Sequence, residues 1–153
     1  MLTGCGFKTL YNQDNFHSLS DISYQRLVDN KNDARITFLL NEKIERMLVN
    51  NTKTNLSTKY FLSVDYDVKI EDYMTTPGSV STRKRVQVSL YYVLRDKQTD
   101  QEKYKGKIMD FNSFSLTKEQ PFTDYLSQNH VTINMLNSLV EELRIQLIAK
   151  LAN

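Results

Sequence analysis

Between Tyr60 and Glu71 every second residue is apolar. Tyr60, Leu62, Val64, Tyr66, Val68 and Ile70 alternate with Phe61, Ser63, Asp65, Asp67, Lys69 and Glu71. A period of two held this long fits a strand with one face in a core and the other in water. Such a strand needs partners, and the chain supplies them next. Thr75-Thr76-Pro77-Gly78-Ser79 has turn chemistry, inside a predicted loop over Asp72–Thr82. Val86, Val88, Leu90, Tyr92 and Leu94 then alternate as a second arm. Arg95 to Asp100 reads as another turn. Tyr104, Gly106 and Ile108 open a third arm that runs to about Phe114.

Helical spacing flanks this meander. Ile36, Leu39, Leu40, Ile44, Met47 and Leu48 line one face of a helix over Asp33–Val49, with Asn32 or Asp33 as its N-cap. Phe122, Tyr125, Leu126, Ile133, Leu136, Val140, Leu143, Leu147 and Leu151 recur three and four apart in a long last helix, with Pro121 in its first turn. Ile22 and Tyr24 alternate within Leu19–Val28, which predicts a first strand. The order is β-α-β-β-β-α. It predicts an α+β fold of two layers: an antiparallel four-stranded sheet with two helices on one face. Residues 1–18 read as a flexible N-terminal tether and 19–153 as a single domain.

Composition narrows the function. A chain of 153 residues is one domain's worth, able to bury a core without staples. No apolar run approaches the roughly 18 residues of a spanning helix. One cysteine, Cys5, excludes a disulfide framework and Cys-based zinc sites. His17 and His130 are the only histidines, and no metal or cofactor site is expected. The four glycines form no phosphate-cradling motif, and no nucleophile-elbow motif occurs. Asp65 and Asp67 share a strand face, but no apolar pocket is implied that would tune them for acid–base work. The expectation is a protein that is not an enzyme.

The net charge of +2 is unevenly spread. Residues 83–107 hold eight Lys/Arg against three Asp/Glu, a local +5. Arg83, Lys84 and Arg85 open the second arm, and Lys103, Lys105 and Lys107 lie two apart on the third. Alternation puts the three lysines on one face and Arg83 with Arg85 on one face of the neighbouring arm. Together they form a candidate anion site, with a solvated sheet face as the simpler reading.

Leu2-Thr3-Gly4-Cys5 resembles a bacterial lipobox, in which small residues precede a cysteine whose sulfur receives a diacylglycerol thioether. The longer run Cys5-Gly6-Phe7-Lys8-Thr9-Leu10-Tyr11 is similar to the opening of the LPS-assembly lipoprotein LptE, in its alphaproteobacterial branch. Lys8 stands where Arg is common and Thr9 where Pro is common. The order of elements resembles that family over nearly the whole chain. Such a resemblance implies lipid attachment at Cys5 and an anchor on the periplasmic side of the outer membrane. It also implies a plug role inside the LptD β-barrel, in assembly of lipopolysaccharide (LPS) and its export to the cell surface. LPS is then the anion expected at Arg83, Lys84, Arg85, Lys103, Lys105 and Lys107. Tyr73, Met74, Pro77 and Gly78 become candidate barrel contacts, joined by Phe61, Tyr91 and Phe111 on the wet strand faces. No nucleic acid is a partner in this reading. The alternative is a small polyanion- or nucleic-acid-binding module that uses a basic sheet face.

Overall fold

A computed structural model describes residues 19–28, 33–49, 58–75, 81–116 and 121–152. Cys5, Pro77 and Gly78 lie outside the described residues, as does the segment 1–18. The elements are β1 (Ile22–Tyr24), α1 (Ala34–Val49), β2 (Tyr60–Thr75), β3 (Ser81–Asp96), β4 (Glu102–Ser115) and α2 (Pro121–Leu151). They form a four-stranded sheet of order β1-β2-β3-β4. The α+β class and the element order match the sequence expectation.

Strands β2, β3 and β4 pair antiparallel, whereas β1 joins β2 parallel through Ile22↔Tyr60 and Tyr24↔Leu62. A strand followed by a helix and a second strand returns in the same direction, so the crossover through α1 sets this exception. The predicted ten-residue first strand shrinks to three residues. Only Ile22 and Tyr24 alternate there, and past Gln25 the chain turns to α1. Asn41, buried on α1, accepts from the Tyr24 hydroxyl at 2.7 Å and from the Leu27 N–H at 2.8 Å. Its amide donates back to the Leu27 carbonyl at 3.1 Å. One buried amide thereby fixes both β1 and the segment after it.

Helix α1 starts where Asp33 Oδ1 accepts from the Ile36 N–H at 3.1 Å, three residues into the helix, as an N-cap does. No Gly or Pro interrupts its sixteen residues. Helix α2 begins with Pro121, whose missing N–H costs nothing in a first turn. No helix among the described residues is long and apolar enough to cross a membrane.

Both helices cover the face of the sheet made by even-numbered residues. Leu62, Val64, Tyr66, Val86, Val88, Leu90, Tyr92, Leu94 and Ile108 are buried in one cluster with Leu40 and Ile44 of α1 and Leu136, Leu139, Leu143 and Leu147 of α2. Each such side chain contributes about 1.5–3 kcal/mol on burial. Leu90 is fully buried, and its truncation to Ala costs on the order of 2–5 kcal/mol. Polar groups in this layer are paired. Thr37 Oγ1 and the Tyr66 hydroxyl lie 2.8 Å apart, and no fully buried side-chain polar atom among the described residues lacks a hydrogen bond.

Candidate functional site

The odd-numbered residues of β2, β3 and β4 make the second face, which neither helix covers. Cross-strand register defines its rungs. Asp65 lies beside Tyr91 and Tyr91 beside Lys107, Asp67 beside Ser89 and Ser89 beside Met109. Further along, Lys69 is beside Gln87 and Gln87 beside Phe111, and Glu71 is beside Arg85. The face is therefore polarised across the strands, with carboxylates on β2 and cations and apolar groups toward β4.

The register separates the predicted basic cluster into two. Arg83, Lys84 and Arg85 pair with Ser115, Phe114 and Ser113, whereas Lys107 and Lys105 pair with Tyr91 and Val93. Arg85 and Val93 are eight residues apart on β3, about 26 Å at a strand's rise. Arg85 and the lysines of β4 thus stand toward opposite ends of the sheet, and a single phosphate group cannot bridge them.

Two of the three register shifts among these strands re-aim individual side chains, as bulges do. Opposite Leu94 and Arg95 the partners are Tyr104 and Glu102, so Lys103 is the extra residue. Its ammonium donates to the Tyr60 hydroxyl at 2.8 Å and stands 4.6 Å from that ring centre. This bond raises the Lys103 ammonium above its ordinary value. Lys103 is thus tied to a residue that packs against the core. Lys105 pairs instead with Glu102 at 3.2 Å, and Lys107 lies 5.2 Å from the ring centre of Tyr91.

The second bulge sits where β2 partners step from Asp72↔Lys84 to Met74↔Arg83, leaving Tyr73 as the extra residue. The Arg85 guanidinium lies 4.3 Å from the Tyr73 ring centre and 5.6 Å from that of Phe111. Tyr73 and Met74 belong to β2 and not to the predicted loop, because pairing with β3 continues to Thr75↔Ser81. Cation–ring contacts of this kind contribute about 0.5–1 kcal/mol at exposed sites.

Met109 and Phe111 are 56% and 68% exposed, with Tyr91 and Tyr73 also open to solvent and Phe61 half-buried. Met109 is the residue of this surface that sequence reading missed. Its parity with Lys105, Lys107 and Phe111 was the available signal. The face offers cations, π-faces and apolar side chains to a large amphiphilic or anionic surface, and its β2 margin is acidic. Among the described residues no group of three or more His, Cys, Asp or Glu side chains can hold a metal. His130 is exposed and its Nε2 lies 3.1 Å from the Asn134 amide.

No protein-family profile matches the sequence, and no curated protein matches it. Solved structures do resemble it. A chain from Caulobacter crescentus CB15, provisionally described as a lipoprotein, superposes with a TM-score of 0.66 at 18% identity, over 92% of this chain and 97% of that one. A minor lipoprotein from Acinetobacter baumannii gives 0.59 at 14% identity, over 84% and 90%. The rare lipoprotein B from Shewanella oneidensis gives 0.59 at 12%, over 84% and 91%. At these identities the likeness is one of fold.

Proposed function

We propose that this protein is an outer-membrane lipoprotein of the LptE type, anchored through a lipid on Cys5 and exposed to the periplasm. It seats in the lumen of an LptD β-barrel and assists LPS assembly at the cell surface without covalent chemistry on its cargo. One observation carries the reading. A chain that carries Cys5-Gly6-Phe7-Lys8-Thr9-Leu10-Tyr11 has a fold shared, over most of its length, with structures described as lipoproteins.

The open face suits the role. A plug in a polar lumen needs a mixed polar surface, and the acid-to-base gradient from β2 to β4 supplies one. Arg85, held over Tyr73, and Lys105 with Lys107 beside Tyr91 offer separate contacts for the phosphates of an LPS molecule. A nucleic-acid track fits less well. It needs a continuous positive groove with stacking rings, and here Asp65 and Asp67 run alongside Tyr91 and Ser89.

Mass spectrometry of the Cys5 peptide from cells that express the chain with its own upstream region tests the anchor. A diacylglycerol thioether on Cys5, with Cys5→Ala released from the membrane fraction, is the expected result. An unmodified Cys5 peptide from membranes sinks the proposal.

A further inference from the structure

The first turns of α2 carry an apolar track that begins in solvent and ends in the core. Phe122 and Leu126 are 72% and 50% exposed, Ile133 is half-buried and Leu136 is fully buried. With Asn129 they recur in steps of four and three, so they share one helical face. Near Asn129 the track enters a cleft of about 190 Å³ between α1, β2 and α2. Its apolar lining is Ile36 and Leu39 of α1, Val68 and Ile70 of β2, and Ile133 and Leu136 of α2.

The polar side chains at the cleft other than Gln128 fall into two sets. Asp33 and Thr132 are committed to their own helices: Asp33 caps α1, and Thr132 donates to the Gln128 carbonyl at 2.8 Å. Asn129 and Arg35 instead stand with Tyr125 in the cleft lining, where they hold its phenol below the ordinary pKa. Arg35 belongs to α1 and Tyr125 to α2, so the two helices together place an exposed guanidinium beside the apolar lining.

We propose that this cleft takes the tail of a single-chain anionic amphiphile of the fatty-carboxylate class. The end of the tail packs against Leu39, Val68 and Leu136, and the carboxylate engages Arg35. Size supports it, since apolar cavities of about 150 Å³ already bind a benzene-sized group. Shape favours a linear occupant, because the lining extends from exposed Arg35 and Tyr125 to fully buried Leu136. Charge favours a carboxylate, which an Arg fork accepts in a bidentate manner. The inference does not rest on the barrel reading, and either can fail without the other.

Calorimetric titration of the full chain with laurate, below its micelle concentration, tests it. Dodecanol and phosphatidylglycerol vesicles serve as comparison arms. One laurate binds per chain in the expected result. Ile133→Trp, which fills the cleft, weakens binding more than tenfold. Arg35→Gln, at an exposed position, weakens laurate about tenfold, the order of one charge-assisted hydrogen bond, and leaves dodecanol unchanged. No laurate binding overturns the proposal, as does undiminished binding by the folded Arg35→Gln protein or binding to vesicles alone.

Discussion

Gly106 lies directly against the ring of Tyr92. A Cβ built at Gly106 would stand 2.6 Å from Tyr92 Cε1, Cζ and Oη. The two residues are cross-strand partners on the covered face, and the missing side chain of one makes room for the other. The ring is buried, and its hydroxyl donates to Gln146 Oε1 at 2.8 Å and accepts from Lys150 Nζ at 3.0 Å. The last turns of α2 are therefore clasped to the middle of the sheet through a phenol that only a glycine partner admits.

Gly106→Ala displaces that ring. The expected cost is about 1–3 kcal/mol, the range for overpacking, with a lower urea midpoint and an unchanged slope. A stability equal to the parent protein's contradicts the packing described.

Tyr24 links stability to alkaline pH. Burial pushes its phenol up to about 12, with the neighbouring Glu45 adding to the rise. In the unfolded chain the phenol ionises near its ordinary value of about 10. The unfolded state thus loses its proton first, and the contribution is fully present below about pH 10 and lost as pH rises toward about 12. Urea unfolding across that window should show a steeper decline for the parent than for Tyr24→Phe. At neutral pH the same substitution costs about 1 kcal/mol for the bond to Asn41. Parallel declines would assign the alkaline loss to other groups.

Thr37 and Tyr66 form a buried pair, with the Tyr66 hydroxyl also 3.3 Å from the Asp33 carbonyl. Thr37→Val and Tyr66→Phe each cost about 1–2 kcal/mol. Because they share one bond, the double variant is less destabilised than the sum of the two. Strict additivity by denaturant titration contradicts the contact.

The separation of the basic groups makes its own prediction. Arg83→Gln with Arg85→Gln, and Lys105→Gln with Lys107→Gln, each weaken binding of purified LPS a few-fold, the scale of exposed charge contacts. Groups about 20–33 Å apart along the strands act independently, so the four changes together multiply the two losses. Full LPS binding by the folded quadruple variant removes both groups from the proposed site. Lys103 is left in place, because its bond to Tyr60 ties it to the fold.

Strands β2 and β3 were legible because their covered face alternates for many residues, from Leu62 to Tyr66 and from Val86 to Leu94, and one-residue slips would expose every member. Helix α1 was legible from its stripe and from Asp33. The bulges were not, since nothing in Glu102-Lys103-Tyr104 or Asp72-Tyr73-Met74 states which strand carries an extra residue. That local choice sends Lys103 to Tyr60 and Tyr73 to Arg85, and register separates Arg83–Arg85 from Lys105 and Lys107. Phe122, Tyr125 and Leu126 teach a related lesson. Their spacing continues the apolar stripe of α2, yet they are exposed. Periodicity defines a face and not whether a neighbour reaches it. The cleft at Arg35 and Tyr125 depends on two helices distant in sequence, and no local pattern marks it.

The proposed function stands or falls on residence in a barrel. Expression with the native upstream region and a C-terminal tag, extraction of outer membranes in mild detergent, and mass spectrometry of what co-purifies would test it most directly. A stoichiometric LptD-type β-barrel together with a lipid-modified Cys5 peptide is the expected result. A chain recovered from those membranes alone, with no barrel, would contradict it.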